Sequence, residues 1–344
     1  MRLELVCPAG TLPALRAAVD NGADSVYIGF RGATNARNFP GLNFGESEAA
    51  AGVAYAHERG TRVFVALNVY PSPATWELAT GTIDRAARLG VDALILADPG
   101  LMRYAAEHHP ALRLHLSVQS SATNWRAIEF YRERFGIRRA VLPRVLSATQ
   151  VARLTGRTSV EIEVFGFGSL CVMVEGRCAL SSFATGHSPN VQGVCSPAHA
   201  VRWEETRAGR QSRLNGVLID RYAPGEAAGY PTLCKGRFRV HDQVFHALEE
   251  PTSLNALGVL PALIASGVKA LKVEGRQRSP AYVGQVTRLL RRALDLCAAA
   301  DLATRASVQS DTTDWEPPAE LLRELDALAE GRTHTLGAYH RPWQ

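Results

Sequence analysis

Along this chain an amphipathic stretch, a glycine and a short apolar run recur in that order. The phrase is found at residues 22–27, 60–65, 90–95, 136–141 and 267–272, opening on Gly22, Gly60, Gly90, Gly136 and Gly267. Glycine readily takes the left-handed conformation that closes a helix, so each phrase reads as a helix stop followed by a strand. Apolar residues at helical spacing predict amphipathic helices over 12–21, 47–59, 76–89, 126–135 and 279–298. Further apolar runs at 3–6, 112–118 and 160–165 bring the predicted strands to eight. Strands alternating with helices imply a parallel sheet, and eight of them predict an α/β fold of the (β/α)8 TIM-like barrel type.

The repeat lapses between the seventh and eighth strands, where the chain becomes rich in Gly, Ser and Pro. Residues 1–300 are therefore predicted to form the barrel, with 166–255 as a long insertion between strands 7 and 8. Residues 301–344 form a short C-terminal extension, with a helix over 319–329 on the barrel exterior and a docked aromatic end at 335–344. Loops that follow barrel strands open at the C-terminal mouth, where active sites of this fold are built. Cys7, Asn68, Asp98, Gln119, Asn124, Arg144, Glu274 and Arg276 follow or close predicted strands and so converge there. The plain alternative for such residues is helix capping or bonding of loop backbone.

Composition excludes little. Hydrophobic residues make up 46% and charged residues 21%, which argues against disorder and against a membrane protein. No apolar run reaches membrane-spanning length, and Glu4 interrupts the N-terminal one, so no signal peptide is read and the cytoplasm is expected. The net charge of +5 comes from scattered arginine without a basic block, which permits nucleic-acid binding and does not indicate it.

Four of the six cysteines, Cys171, Cys178, Cys195 and Cys234, fall inside the insertion at C-x6-C-x16-C-x38-C spacing. Reduced thiols grouped in this way suit a metal centre, iron–sulfur or zinc. The spacing lacks the C-x2-C pair of structural zinc sites, which favours a cluster. Plain burial of some of these small apolar side chains is the competing reading. His187 and His199 lie close by, but four thiolates already complete a cluster. H-E-x-x-H, G-x-S-x-G and Walker A signatures are absent from the sequence. Gly166-Phe167-Gly168-Ser169 reads better as a tight turn into Cys171 than as a nucleotide loop.

Several longer motifs carry a resemblance: Cys7-Pro8-Ala9-Gly10, Asn21-Gly22-Ala23-Asp24, Thr34-Asn35-Ala36-Arg37, Phe167-Gly168-Ser169-Leu170-Cys171, Glu175-Gly176-Arg177-Cys178, Tyr230 to Arg237, and Lys272-Val273-Glu274-Gly275-Arg276. With them the chain resembles peptidase family U32, over nearly its whole length, and within it the branch that serves ubiquinone biosynthesis. The resemblance implies a component of an oxygen-independent hydroxylase. It would act on the ring of a polyprenylphenol quinone precursor with prephenate as oxygen donor, as a heterodimer with a UbiV-like homologue. It also implies a 4Fe-4S cluster on Cys171, Cys178, Cys195 and Cys234. Related members hydroxylate RNA bases, so a prephenate-dependent RNA base hydroxylase is the alternative. It is expected less because such members carry sequence beyond the barrel. A non-catalytic cluster-bearing scaffold is the third reading. Peptidase activity is not expected, since no nucleophile and base pair is evident.

An oxygen donor with carboxylates needs guanidinium forks, for which Arg144, Arg276 and Arg278 are candidates, with structural ion pairs as their plain alternative. Asn68 and Glu274 complete the candidate catalytic set.

Overall fold

The computed structural model describes all residues except 1–2, 36, 38, 40, 190–194, 208, 300–314 and 341–344. Parts of the expected insertion and C-terminal extension thus lie outside the described residues. Seven parallel strands come first: β1 (Glu4–Pro8), β2 (Ser25–Ile28), β3 (Arg62–Leu67), β4 (Ala93–Leu96), β5 (Arg113–Leu116), β6 (Arg139–Val141) and β7 (Glu161–Ser169). Between them run α1 (Leu12–Asp20), α2 (Glu46–His57), α3 (Trp76–Arg88), α4 (Pro99–His108), α5 (Trp125–Phe135) and α6 (Ala148–Thr155). Their ends follow capping chemistry. Thr11 accepts from the Ala14 amide to start α1, and Gly136, at φ 69°, closes α5.

The insertion holds α7 (Ala179–Thr185), an antiparallel sheet of β8 (Val201–Thr206), β9 (Gly209–Leu214) and β10 (Val217–Tyr222), and a hairpin of β11 (Arg237–Val240) and β12 (Gln243–His246). It returns as β13 (Ser253–Asn255), which pairs antiparallel with the end of β7, Ser253 against Ser169 and Asn255 against Phe167. The two edges of the predicted 166–255 range are therefore strand, hydrogen-bonded to each other. After α8 (Leu260–Ala265), β14 (Ala270–Val273) pairs with both β7 and β1 and closes an eight-stranded parallel barrel. α9 (Pro280–Ala299) packs on α1, and α10 (Ala319–Leu328) lies on α9 with Leu321 and Leu325 buried. Of the expected docked end, 341–344 lie outside the described residues; before them β15 (His334–Thr335) joins β13, and the Tyr339 hydroxyl donates to the Phe165 carbonyl at 2.7 Å.

Strand parity divides the core. Outward residues such as Leu5, Leu271 and Val273 pack under the helices, while Val6, Tyr27, Phe64, Ala66, Ala93, Ile95 and Ala270 fill the barrel. Inside there is also a charged layer. Arg139, 2% exposed, donates to Glu4 at 2.6 Å, Glu161 at 2.8 Å and Glu163 at 3.2 Å. One step nearer the mouth, Lys272 Nζ meets Glu163 at 2.6 Å. Buried charges persist only when paired in this way, and removing one partner leaves the other uncompensated.

Candidate active site at the barrel mouth

A cavity partly open to solvent sits over the C-terminal ends of the strands. Four cations, Arg37, Arg144, Lys272 and Arg276, and two carboxylates, Glu175 and Glu274, line it beside Tyr27, Asn68 and Gln119. The lining thus carries more cationic than anionic side chains, which favours an anion.

The cations differ in how fully they are engaged. Arg144 donates from Nε to Glu175 at 2.7 Å and from Nη1 to the Ser169 carbonyl, and its guanidinium lies 4.4 Å from the Phe165 ring. It is a pinned strut between barrel and insertion. Lys272 is held by Glu163 and sits 3.9 Å from the Tyr27 ring centre. Burial, with the charges of Arg139 and Arg276, holds its ammonium below the ordinary range although Glu163 opposes this. Arg276 is 4% exposed, and its Nη1 is buried without a hydrogen-bond partner. Burial pushes its pKa down to about 10. Gln119 Oε1 and Glu175 Oε2 are likewise buried and unpartnered. Two orphaned acceptors and one orphaned cationic donor around a single cavity are what a bound polar anion would satisfy.

Asn68, Gln119, Arg144, Glu274 and Arg276 are brought together as the sequence suggests. Others are not. Arg278 is exposed, stacks 5.1 Å from the Tyr282 ring and does not line the cavity. Asp98 and Asn124 cap α4 and α5 through the Leu101 and Ala127 amides, each at 2.9 Å. Cys7 faces outward with Leu5, fully buried, and accepts from Thr287 Oγ1 at 3.2 Å. Burial pushes its thiol up to about 12. Gly166 to Ser169 is not a turn but the end of β7, where Gly168, at φ 125°, leaves room for Glu274, whose Cβ would stand 2.7 Å from an added Cβ. Glu274 in turn accepts the Ser169 amide at 3.2 Å.

Tyr27, Arg37, Glu175 and Lys272 are cavity residues that sequence reasoning did not single out as site residues. Period-2 alternation could have found Lys272, which shares the inward face of β14 with Ala270.

The insertion lies beside this cavity. All six cysteines are free thiols. Cys195 bears on the titration of Cys171 and Cys234, and Cys178 on that of Cys195 and Cys234, so the four insertion thiols share one neighbourhood. Burial raises the pKa of Cys171 to about 12 and also raises those of Cys195 and Cys234, while Arg144, Arg37 and Lys235 favour the thiolates. Cys195 counts as exposed, yet its thiol is desolvated enough to shift. Among the described residues no three His, Cys, Asp or Glu side chains close into a metal-binding group. Four free thiols flanked by cations are nevertheless a fitting donor set for an anionic cluster. The rings of His187 and His199 meet edge to face, 5.1 Å apart.

A barrel with an ionised mouth cavity and a cysteine-bearing insertion over it defines an α/β-barrel protein of the enzyme kind. Residues 10–333 match the model of Peptidase family U32, and the chain belongs to that family. The chain is 32% identical over 318 residues to the tRNA hydroxylation protein P of Escherichia coli, covering 86% of this chain and 68% of that protein. It is 31% identical over 349 residues to a 23S rRNA 5-hydroxycytidine synthase of the same organism, covering 99% of this chain and 47% of that one. A collagenase of Porphyromonas gingivalis is 27% identical over 303 residues, covering 85% and 65%. The two nearer names concern RNA hydroxylation and not quinones, so they favour the alternative over the ubiquinone branch. No helix among the described residues is long and apolar enough to cross a membrane.

Proposed function

We propose that this chain is the barrel component of an enzyme that hydroxylates a base in RNA without dioxygen, using a dianionic carboxylate as oxygen donor. The observation that carries the donor site is the unpartnered Nη1 of Arg276 in a cavity lined by more cations than carboxylates. Prephenate, which the family resemblance implies, is a dicarboxylate of this kind. Arg276 holds a donor carboxylate, and Gln119 and Glu175 offer acceptors to its hydroxyl. The RNA substrate rests on the names of the relatives. Chemistry on a base requires it to leave its stack, and an open barrel mouth can receive one.

Cys171, Cys178, Cys195 and Cys234 would hold a 4Fe-4S cluster, supplying a redox-active or Lewis-acidic centre beside the cavity when bound. The Arg144–Glu175 pair then sets the cysteine loop against the barrel. Peptide hydrolysis is not proposed, because among the described residues no histidine lines the cavity beside Ser117 to activate it.

Mass spectrometry of nucleosides and quinones from cells lacking the gene tests the reading. Loss of one hydroxylated nucleoside from tRNA or rRNA with quinones intact is expected. Intact nucleosides with an accumulated polyprenylphenol would instead restore the quinone reading and its UbiV-like heterodimer partner.

A further inference from the structure

Only three of the 38 lysine and arginine residues are lysines: Lys235, Lys269 and Lys272. Arginine serves ion pairs at least as well and is the rule in this chain, so a lysine inside the barrel calls for a reason specific to an amine. Lys272 lies in the wall of the mouth cavity, 6% exposed, with Nζ 2.6 Å from Glu163 Oε1. Glu163 is shared with Arg139, whose Nη1 lies 3.2 Å from its Oε2 and holds that carboxylate in place. Arg276, with its unpartnered Nη1, flanks the same Tyr27 ring, its Cζ 5.8 Å and Lys272 Nζ 3.9 Å from the centroid.

An amine beside a guanidinium with an unpartnered Nη1 is matched by a molecule with a carbonyl beside a carboxylate. We infer that Lys272 forms an imine with a 2-oxo acid whose carboxylate is held by Arg276. The Lys272 nitrogen adds to the carbonyl carbon, forming the C–N bond. Two of the three ammonium hydrogens pass to the carbonyl oxygen, which leaves as water, with Glu163 carrying the proton between them. The product is a protonated imine that retains the positive charge opposite Glu163, and no oxidant or reductant is consumed. Burial and the nearby cations keep the amine accessible to this reaction by favouring its neutral form.

The test uses the whole protein with pyruvate as probe and cyanoborohydride to trap the imine, followed by peptide mapping. A single carboxyethyl adduct on Lys272 is expected. Labelling should be lost in Lys272→Arg and slowed about tenfold in Arg276→Gln, the scale of one charge-assisted hydrogen bond. Lactate, which has the carboxylate without the carbonyl, should compete and leave no adduct. Should Lys272→Arg fail to fold, the map of the unaltered protein decides alone. An unmodified Lys272 at saturating pyruvate, or labelling no greater than at Lys235 and Lys269, overturns the inference. No RNA enters the assay, so its failure is distinct from failure of the RNA reading.

Discussion

Gly29 and Arg276 interlock at the mouth: a Cβ added at position 29 would stand 2.5 Å from Nη1 of Arg276 and 2.8 Å from Cγ of Asn35. The glycine is needed for the space it leaves, since its backbone is outside the left-handed region. Gly29→Ala should therefore leave a folded barrel with a displaced guanidinium. Calorimetric affinity for a dicarboxylate is expected to fall about tenfold, as for loss of one charge-assisted contact. Unchanged affinity would remove Arg276 from the binding site.

The cysteines separate by location. Protein purified without oxygen should contain about four iron and four sulfide per chain, the content of one cluster on four thiolates. Cys171→Ala or Cys234→Ala should remove the iron. Cys7→Ala and Cys297→Ala should retain it at a packing cost of roughly 1 kcal/mol, because both thiols are buried under the barrel helices. Zinc in place of iron, or iron persisting in each of the four insertion mutants, would contradict the cluster.

His115 gives the fold a pH signature. Burial first, then the charges of Arg139, Arg113 and Lys272, hold its pKa well below 6.5, so the folded ring stays neutral. Below pH 6.5 the unfolded chain takes up a proton that the folded one does not, and stability falls with falling pH. Denaturant titrations should show a slope from this group that steepens from about 0.7 kcal/mol per pH unit at pH 6.5 toward about 1.4 near pH 5. The slope should vanish in His115→Gln, and its persistence there would assign it to another group.

The barrel was legible because its strands are short apolar runs punctuated by glycine, and that punctuation survives in the folded chain. The same legibility misled at Cys7, which follows the first strand closely enough to look like a mouth residue. Parity decides otherwise: Cys7 is two residues from Leu5 and shares its outward face, while Val6 points inward. The Phe167–Ser169 strand end was hidden because its partner, Ser253–Asn255, is supplied by chain more than eighty residues later. A pairing that distant leaves no local periodicity to read. The Arg144–Glu175 pair was missed in part for the same reason, since only the fold brings the two groups together. Lys272 and Glu163, by contrast, sit on strands whose alternation marks them as inward.

The central claim joins this cavity to RNA hydroxylation, and complementation reads both at once. In cells lacking the gene, the unaltered chain should restore the missing hydroxylated nucleoside by mass spectrometry of total RNA. Arg276→Gln and Cys171→Ala should not restore it, although both proteins accumulate. Full restoration by either variant, or no hydroxylated nucleoside lost in the first place, would contradict the account.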